Sequence, residues 1–153
     1  MRPVVPVAAL ALFLVAAPSL AHAASFDGKH PDAQSIAALE AKAGLASPRE
    51  QCLLYAELVH QMIEYSSDQY AAGQNQKSAE MLKRVGAFAE KIHLTVADNE
   101  KRLKTAQILL RHTAFRLTEL LHSSDVEDRP VVQQALAQIN QVQTETMLQV
   151  FRK

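Results

Sequence analysis

The sequence predicts an all-α protein: an antiparallel up-down bundle of four main helices preceded by a short N-terminal helix. Two observations carry that expectation. From residue 47 onward, large apolar residues recur every three to four positions through four long stretches, the period of one helix face. The connectors between those stretches are short and hold Gly73, Asn75 and Pro130, residues that end or begin helices. Composition agrees, with four glycines, no tryptophan and an abundance of Ala, Leu and Gln.

The chain opens on a segment that is not part of the bundle. Arg2 precedes an almost wholly apolar run from Val4 to Leu14, Pro18 breaks the run, and Ala21-His22-Ala23 offers small residues where signal peptidase needs them. Residues 1–23 are therefore expected to be a secretory signal peptide, cut before Ala24. The run is too short and too interrupted by proline for a span, so no stable membrane insertion is expected after cleavage. Export to a periplasm or the extracellular medium follows. Residues 24–31, with Gly28, Lys29 and His30, read as a flexible leader, and residues 32–153 as one helical-bundle domain.

A short Ala-rich helix is expected from Asp32 to Ala43, with Ile36 and Leu39 its large apolar contacts and Gly44 its stop. So few anchors predict marginal docking. The second helix starts on Ser47-Pro48-Arg49-Glu50, a capping box with proline at the first helical position, and runs to Ala72-Gly73. Asn75 is the expected cap of the third helix, which carries Ala79, Leu82, Val85, Ala89, Ile92 and Val96 on one face, giving a helical hairpin. Asp98-Asn99 should cap the fourth. Its stripe of Leu103, Ala106, Leu110, Leu117 and Leu120 is widened by Ile108, Leu109 and Phe115, which predicts the most buried helix. A polar connector, Ser123 to Arg129, leads to a last helix from Pro130 with Val132, Leu136, Ile139, Val142, Met147 and Val150 turned inward. Stacked helix-hairpin repeats are the rival arrangement, but a second helix of about 25 residues is too long for a 34-residue tetratricopeptide unit.

Charge and cysteine content narrow the function. Of sixteen Lys and Arg, loss of Arg2 leaves fifteen against sixteen Asp and Glu. Such balance gives no steering toward nucleic acid. Between Lys83 and Arg116 eight cations face Glu90, Asp98 and Glu100, a possible basic patch on the third and fourth helices. Cys52 is the only cysteine, so no intrachain disulfide forms, and its place on an apolar stripe suits a buried thiol better than a nucleophile.

The sharpest motif is a Glu-x-x-His repeated three times, at Glu57/His60, Glu90/His93 and Glu119/His122. Residues three apart share a helix face and can bind one metal, the device of ferritin-like di-metal bundles. Counting along the helices brings Glu57, Glu90 and Glu145 to about one level. The fourth helix offers only Thr105 and Ala106 there, however, and Glu57 and Glu90 lie about 100° off the apolar stripes. Metal binding by Glu57, His60, Glu90, His93 and Glu145, with iron, manganese or zinc, is thus the alternative, and no cofactor is expected.

The last helix is unusual in another way. Its polar positions are amides, and Glu145 is its only charge between Pro130 and Phe151. Polar groups without charge suit a contact with another protein or a second copy. Gln134, Gln138, Gln141 and Glu145 are the expected interface. The chain reads as a non-enzymatic exported protein acting by protein–protein contact or self-association.

Overall fold

A computed structural model describes residues 30–96 and 102–152, all helix and connector with no strand among them. The helices are α1 (Ala33–Leu45), α2 (Pro48–Ala71), α3 (Asn75–Thr95), α4 (Leu103–Ser123) and α5 (Arg129–Phe151). The expected signal peptide, most of the leader and the Asp98-Asn99 cap lie outside the described residues.

Each helix boundary has a local cause. Asp32 caps α1 with a reciprocal box: its Oδ1 accepts from the Ser35 N–H at 2.7 Å, and its own N–H donates to Ser35 Oγ at 3.0 Å. Ser47 does precede α2, with Pro48 in the first turn, but its hydroxyl donates to Glu50 Oε2 at 3.2 Å instead of accepting a backbone N–H. The end of α2 is a Schellman turn. Gly73 takes φ +73°, its N–H donates to the Tyr70 carbonyl, and that of Gln74 reaches the Gln69 carbonyl. Asn75 is already helical. Its side chain donates to Asp128 Oδ2 at 2.9 Å, so Gln74 occupies the cap position that the sequence assigns to Asn75.

Packing follows a definite pattern. α2 lies against α1, α3 and α4, and α5 lies against α3 and α4, whereas α2 with α5 and α3 with α4 are not packed pairs. Along the α2/α4 seam the polar contacts join Glu50 to Arg102, His60 to Thr113 and Glu64 to Arg116, always 52 or 53 residues apart. The α3/α5 seam repeats the spacing, joining Asn75 to Asp128, Gly86 to Gln138 and His93 to Glu145. A constant difference means that each such pair of helices runs side by side in one direction. Tyr70 and Asn75 both reach the connector between α4 and α5, with the Asp125 N–H donating to Tyr70 Oη at 2.7 Å.

The core is aliphatic. Leu58, Met62 and Ile63 of α2, Val85 and Ile92 of α3, Leu110 and Leu117 of α4, and Val132 and Ile139 of α5 are essentially sealed from water. Burying each such side chain contributes roughly 1.5–3 kcal/mol. Two expectations are corrected here. The most buried helix is α2, with ten buried residues against seven in α4, because three elements cover α2. Ile108 and Phe115, which widen the α4 stripe in the sequence, stand 47% and 62% exposed. α1 is also better anchored than two apolar residues suggest: Ile36 and Ala43 are fully buried, and Glu40 pairs with Arg84 of α3 at 2.6 Å.

Candidate functional site

The residues with chemical potential fall on three surfaces: the α2/α4 seam, the α3/α5 seam, and the outward side of the α4/α5 hairpin. On the first, His60 is half-buried, with Nδ1 3.1 Å from the Thr113 hydroxyl. Thr113 also lies 2.9 Å from the Leu109 carbonyl, and its one proton serves only one of these neighbours. When that proton goes to Leu109, Nδ1 of His60 is the donor. Burial pushes the His60 value down, Glu64 works against this, and His112 and Arg116 add to it. Arg116 forks onto both oxygens of Glu64 at 2.8 and 3.0 Å and onto Glu119 at 2.6 Å. Glu119 is thereby spent on a cation, not on His122.

Glu57 is half-buried, which corrects its expected solvent position. Burial pushes its carboxyl up, and the nearby charges of Lys42 and Arg102 offset part of that rise. It makes no bond to His60. Across the bundle, His93 Nδ1 meets Glu145 Oε2 at 2.6 Å, and the Gln141 amide donates to Glu145 Oε1 at 3.2 Å. The hydrogen bond to Glu145 and then its charge raise His93. Partial burial works to raise Glu145, but the bonds from His93 and Gln141 and the His93 charge outweigh it and hold the carboxyl low. Glu90 stands exposed on α3.

The five candidate metal ligands are therefore divided. The structure joins His93 to Glu145, holds His60 and Glu57 on a different seam, and leaves Glu90 acting on His93 through its charge alone. Among the described residues no three His, Cys, Asp or Glu side chains converge where a metal ion could sit. Cys52 is sealed, and burial pushes its thiol up to about 11 despite a bond with Thr95, so it is a poor nucleophile.

The cations are divided too. Arg84 pairs with Glu40, Arg116 with Glu64, and Lys91 sits 5.3 Å over Tyr55 and 5.1 Å over Phe88, whose rings stack at 6.1 Å. Because α3 and α4 are not packed side by side, the described cations between Lys83 and Arg116 do not share one helix–helix seam. The shallow cleft beside the α2–α3 turn, lined by Gly73, Asn75, Lys77 and Glu80, is surface and brings no catalytic group. No described helix is long and apolar enough to cross a membrane.

The expected interface amides have unequal surroundings. Gln134 and Gln141 are exposed, but Gln138 is half-buried, its amide lying against Gly86 of α3 in the space a Cβ there would take. What the sequence reading missed is the other side of α5. Met147 and Phe151 are exposed there, Phe151 by 78%, and Ile108 and Phe115 are exposed on the neighbouring α4. The signal is present in the sequence as apolar residues in excess of one stripe, which periodicity alone assigns to the core. Compared with protein-family models, with curated proteins and with solved structures, the chain matches none.

Proposed function

We propose that this chain is an exported, non-enzymatic helical protein that works by contact with another protein or with further copies of itself. The observation that carries the reading is the outward side of the α4/α5 hairpin, where Ile108, Phe115, Met147 and Phe151 stand exposed. Exposed large apolar side chains repeated along adjoining helices mark contact sites, since a solvated monomer gains nothing from them. Beside them α5 offers Gln133, Asn140 and Thr144. Such groups bond across a contact without the cost of burying unpaired charge. The expected cleavage before Ala24 supports a location in a periplasm or the medium. Neither nucleic acid nor a bilayer is a partner in this reading: Arg84, Arg102 and Arg116 are engaged by carboxylates and Lys91 by two rings.

The reading includes a topology. The antiparallel up-down bundle takes the form of two hairpins laid side by side, α2 on α4 and α3 on α5, not a ring in chain order. The constant 52–53-residue spacing along both seams supports it. A disulfide between His60→Cys and Thr113→Cys tests that arrangement.

Site-specific photo-cross-linking tests the function. A photoreactive side chain at position 115 or 151 should give a discrete protein adduct in envelope extract or with the purified chain. The same probe at Lys83, on the outer side of α3, should give none. Absence of any adduct from all four apolar positions overturns the reading.

A further inference from the structure

We propose that α1 is a strap: it lifts from the α2/α3 hairpin as a unit, pivoting at Ala46 and Ser47, while the four long helices stay assembled. Little holds it down. α1 packs onto α2 and reaches α3 through the Glu40–Arg84 pair. It buries two residues, Ile36 and Ala43, where the other helices bury five to ten. Its polar ties lie near the surface. Arg84 meets Glu40 at 2.6 Å with both side chains more than a third exposed, and His30, just ahead of α1, meets Asp68 of α2 at 2.8 Å. Pairs in contact with water hold weakly.

Each of the two helices at the pivot is closed on itself. α1 carries its own reciprocal cap, Asp32 with Ser35. The first turn of α2 closes on the carbonyl of Ser47, which accepts the N–H groups of Glu50 and Gln51 at 2.8 and 3.0 Å, and Pro48 fixes the first helical position. Between them Ala46 and Ser47 are extended, with ψ 158° and 151°. Rotation at these two residues swings α1 without unwinding α2. The Gln51 amide spans the pivot, donating to the Ala43 carbonyl at 3.3 Å, and lets go when the strap lifts.

A buried amide favours the lifted state. α1 runs antiparallel to α2, since Gln51, Glu57 and Asp68 of α2 answer to Ala43, Lys42 and His30 in turn. Gln61 precedes Asp68 by two turns, about 20° from it round α2, which sets it under α1 and level with residues 36–39. Gln61 Oε1 is sealed from water and accepts no hydrogen bond from any described residue. A buried acceptor without a partner is destabilising, and lifting α1 returns water to it. The same arc of α2 holds Leu54 and Leu58, both buried, and Tyr65. With the strap down, this side of the bundle shows the exposed Gln34, Ser35 and Lys42. With it lifted, the side shows the apolar arc of α2. The strap thus decides whether this end of the bundle has the polar outer face that keeps stacked helices apart in solution.

The test is residue-resolved amide exchange of the purified protein at low urea concentrations, with circular dichroism to certify folding. At 13 residues α1 is too short to stay helical alone, so its amides exchange when it lifts. Residues 36–43 should exchange about a hundredfold or more faster than 58–63 and 110–117, and with little dependence on urea, because a local opening bares little surface. Gln61→Met keeps the bulk and removes the stranded carbonyl. It should slow exchange about tenfold in α1 as well as in the core. Arg84→Gln should speed α1 about two- to fivefold. Exchange of α1 with the rate and urea dependence of the core would mean that it opens only when the whole chain unfolds, which overturns the proposal. So does a Gln61→Met variant that slows the core alone or slows nothing, since α1 then does not cover that carbonyl.

Discussion

Replacing Gly86 by alanine sets two effects against each other, and Gln138 decides which wins. Glycine in a helix interior costs about 1 kcal/mol relative to alanine. A Cβ at Gly86 would fall 2.9 Å from Cδ and Oε1 of Gln138, and nearer still to Nε2. These atoms are the end of a flexible side chain, so the amide moves and the backbone does not. Moving a half-buried amide from its seat costs about 0.5–1.5 kcal/mol. Gly86→Ala alone should therefore be near neutral, within about 0.5 kcal/mol. In a Gln138→Ala background the obstruction is gone, and the full gain of about 1 kcal/mol should emerge. Urea unfolding followed by circular dichroism reads the difference. With a slope of about 2 kcal/mol per molar, a coupling of about 1 kcal/mol separates the midpoint shifts by about 0.5 M. Equal shifts in both backgrounds would refute the close approach of α3 and α5, and with it the register that sets residue 86 against 138.

The His93–Glu145 pair gives stability a pH signature. His93 is held above the ordinary histidine value, so its share is lost as pH rises through that raised value; Glu145 is held low, so its share is lost as pH falls through the lowered one. The gap between wild type and His93→Gln should be widest at about pH 5.5 and close above about pH 8, and a gap constant with pH contradicts this. The two caps should differ: Asp32→Ala removes a backbone bond and should cost about 1 kcal/mol, read as faster amide exchange in α1, while Ser47→Ala should cost only a few tenths. Comparable losses at both positions would show that Ser47 caps the backbone in solution. Elemental analysis should find no stoichiometric iron, manganese or zinc after gentle purification; about one or two per chain would restore the di-metal reading.

Local features of this fold are legible in the sequence because their causes are local. Pro48 and Gly73 bracket α2 through backbone conformations that few other residues favour, and Pro130 opens the last helix for the same reason. Burial is less legible, since it depends on how many neighbours an element has. Phe115 and Ile108 fit an apolar arc as well as Leu110 does, yet only Leu110 faces another helix. The Glu-x-x-His motifs show the same dependence on neighbours. Spacing puts Glu57 and His60 near one another on one helix, but the partner of His60 is Thr113 of α4 and that of His93 is Glu145 of α5. Which helix lies opposite is a property of topology, and a pairing 52 residues away leaves no periodic trace. Asn75 shows the same competition at smaller scale, as its amide serves Asp128 in place of its own helix.

Amide hydrogen exchange of the purified protein, dilute and concentrated and then mixed with envelope extract, tests most directly whether the α4/α5 face is where this chain meets other proteins. Protection should rise around Ile108–Phe115 and around Leu136–Phe151 on concentration or on addition of extract, with α1 and the outer side of α3 unchanged. Exchange that is the same under all conditions, or protection gained only on α1 and α3, would contradict the account.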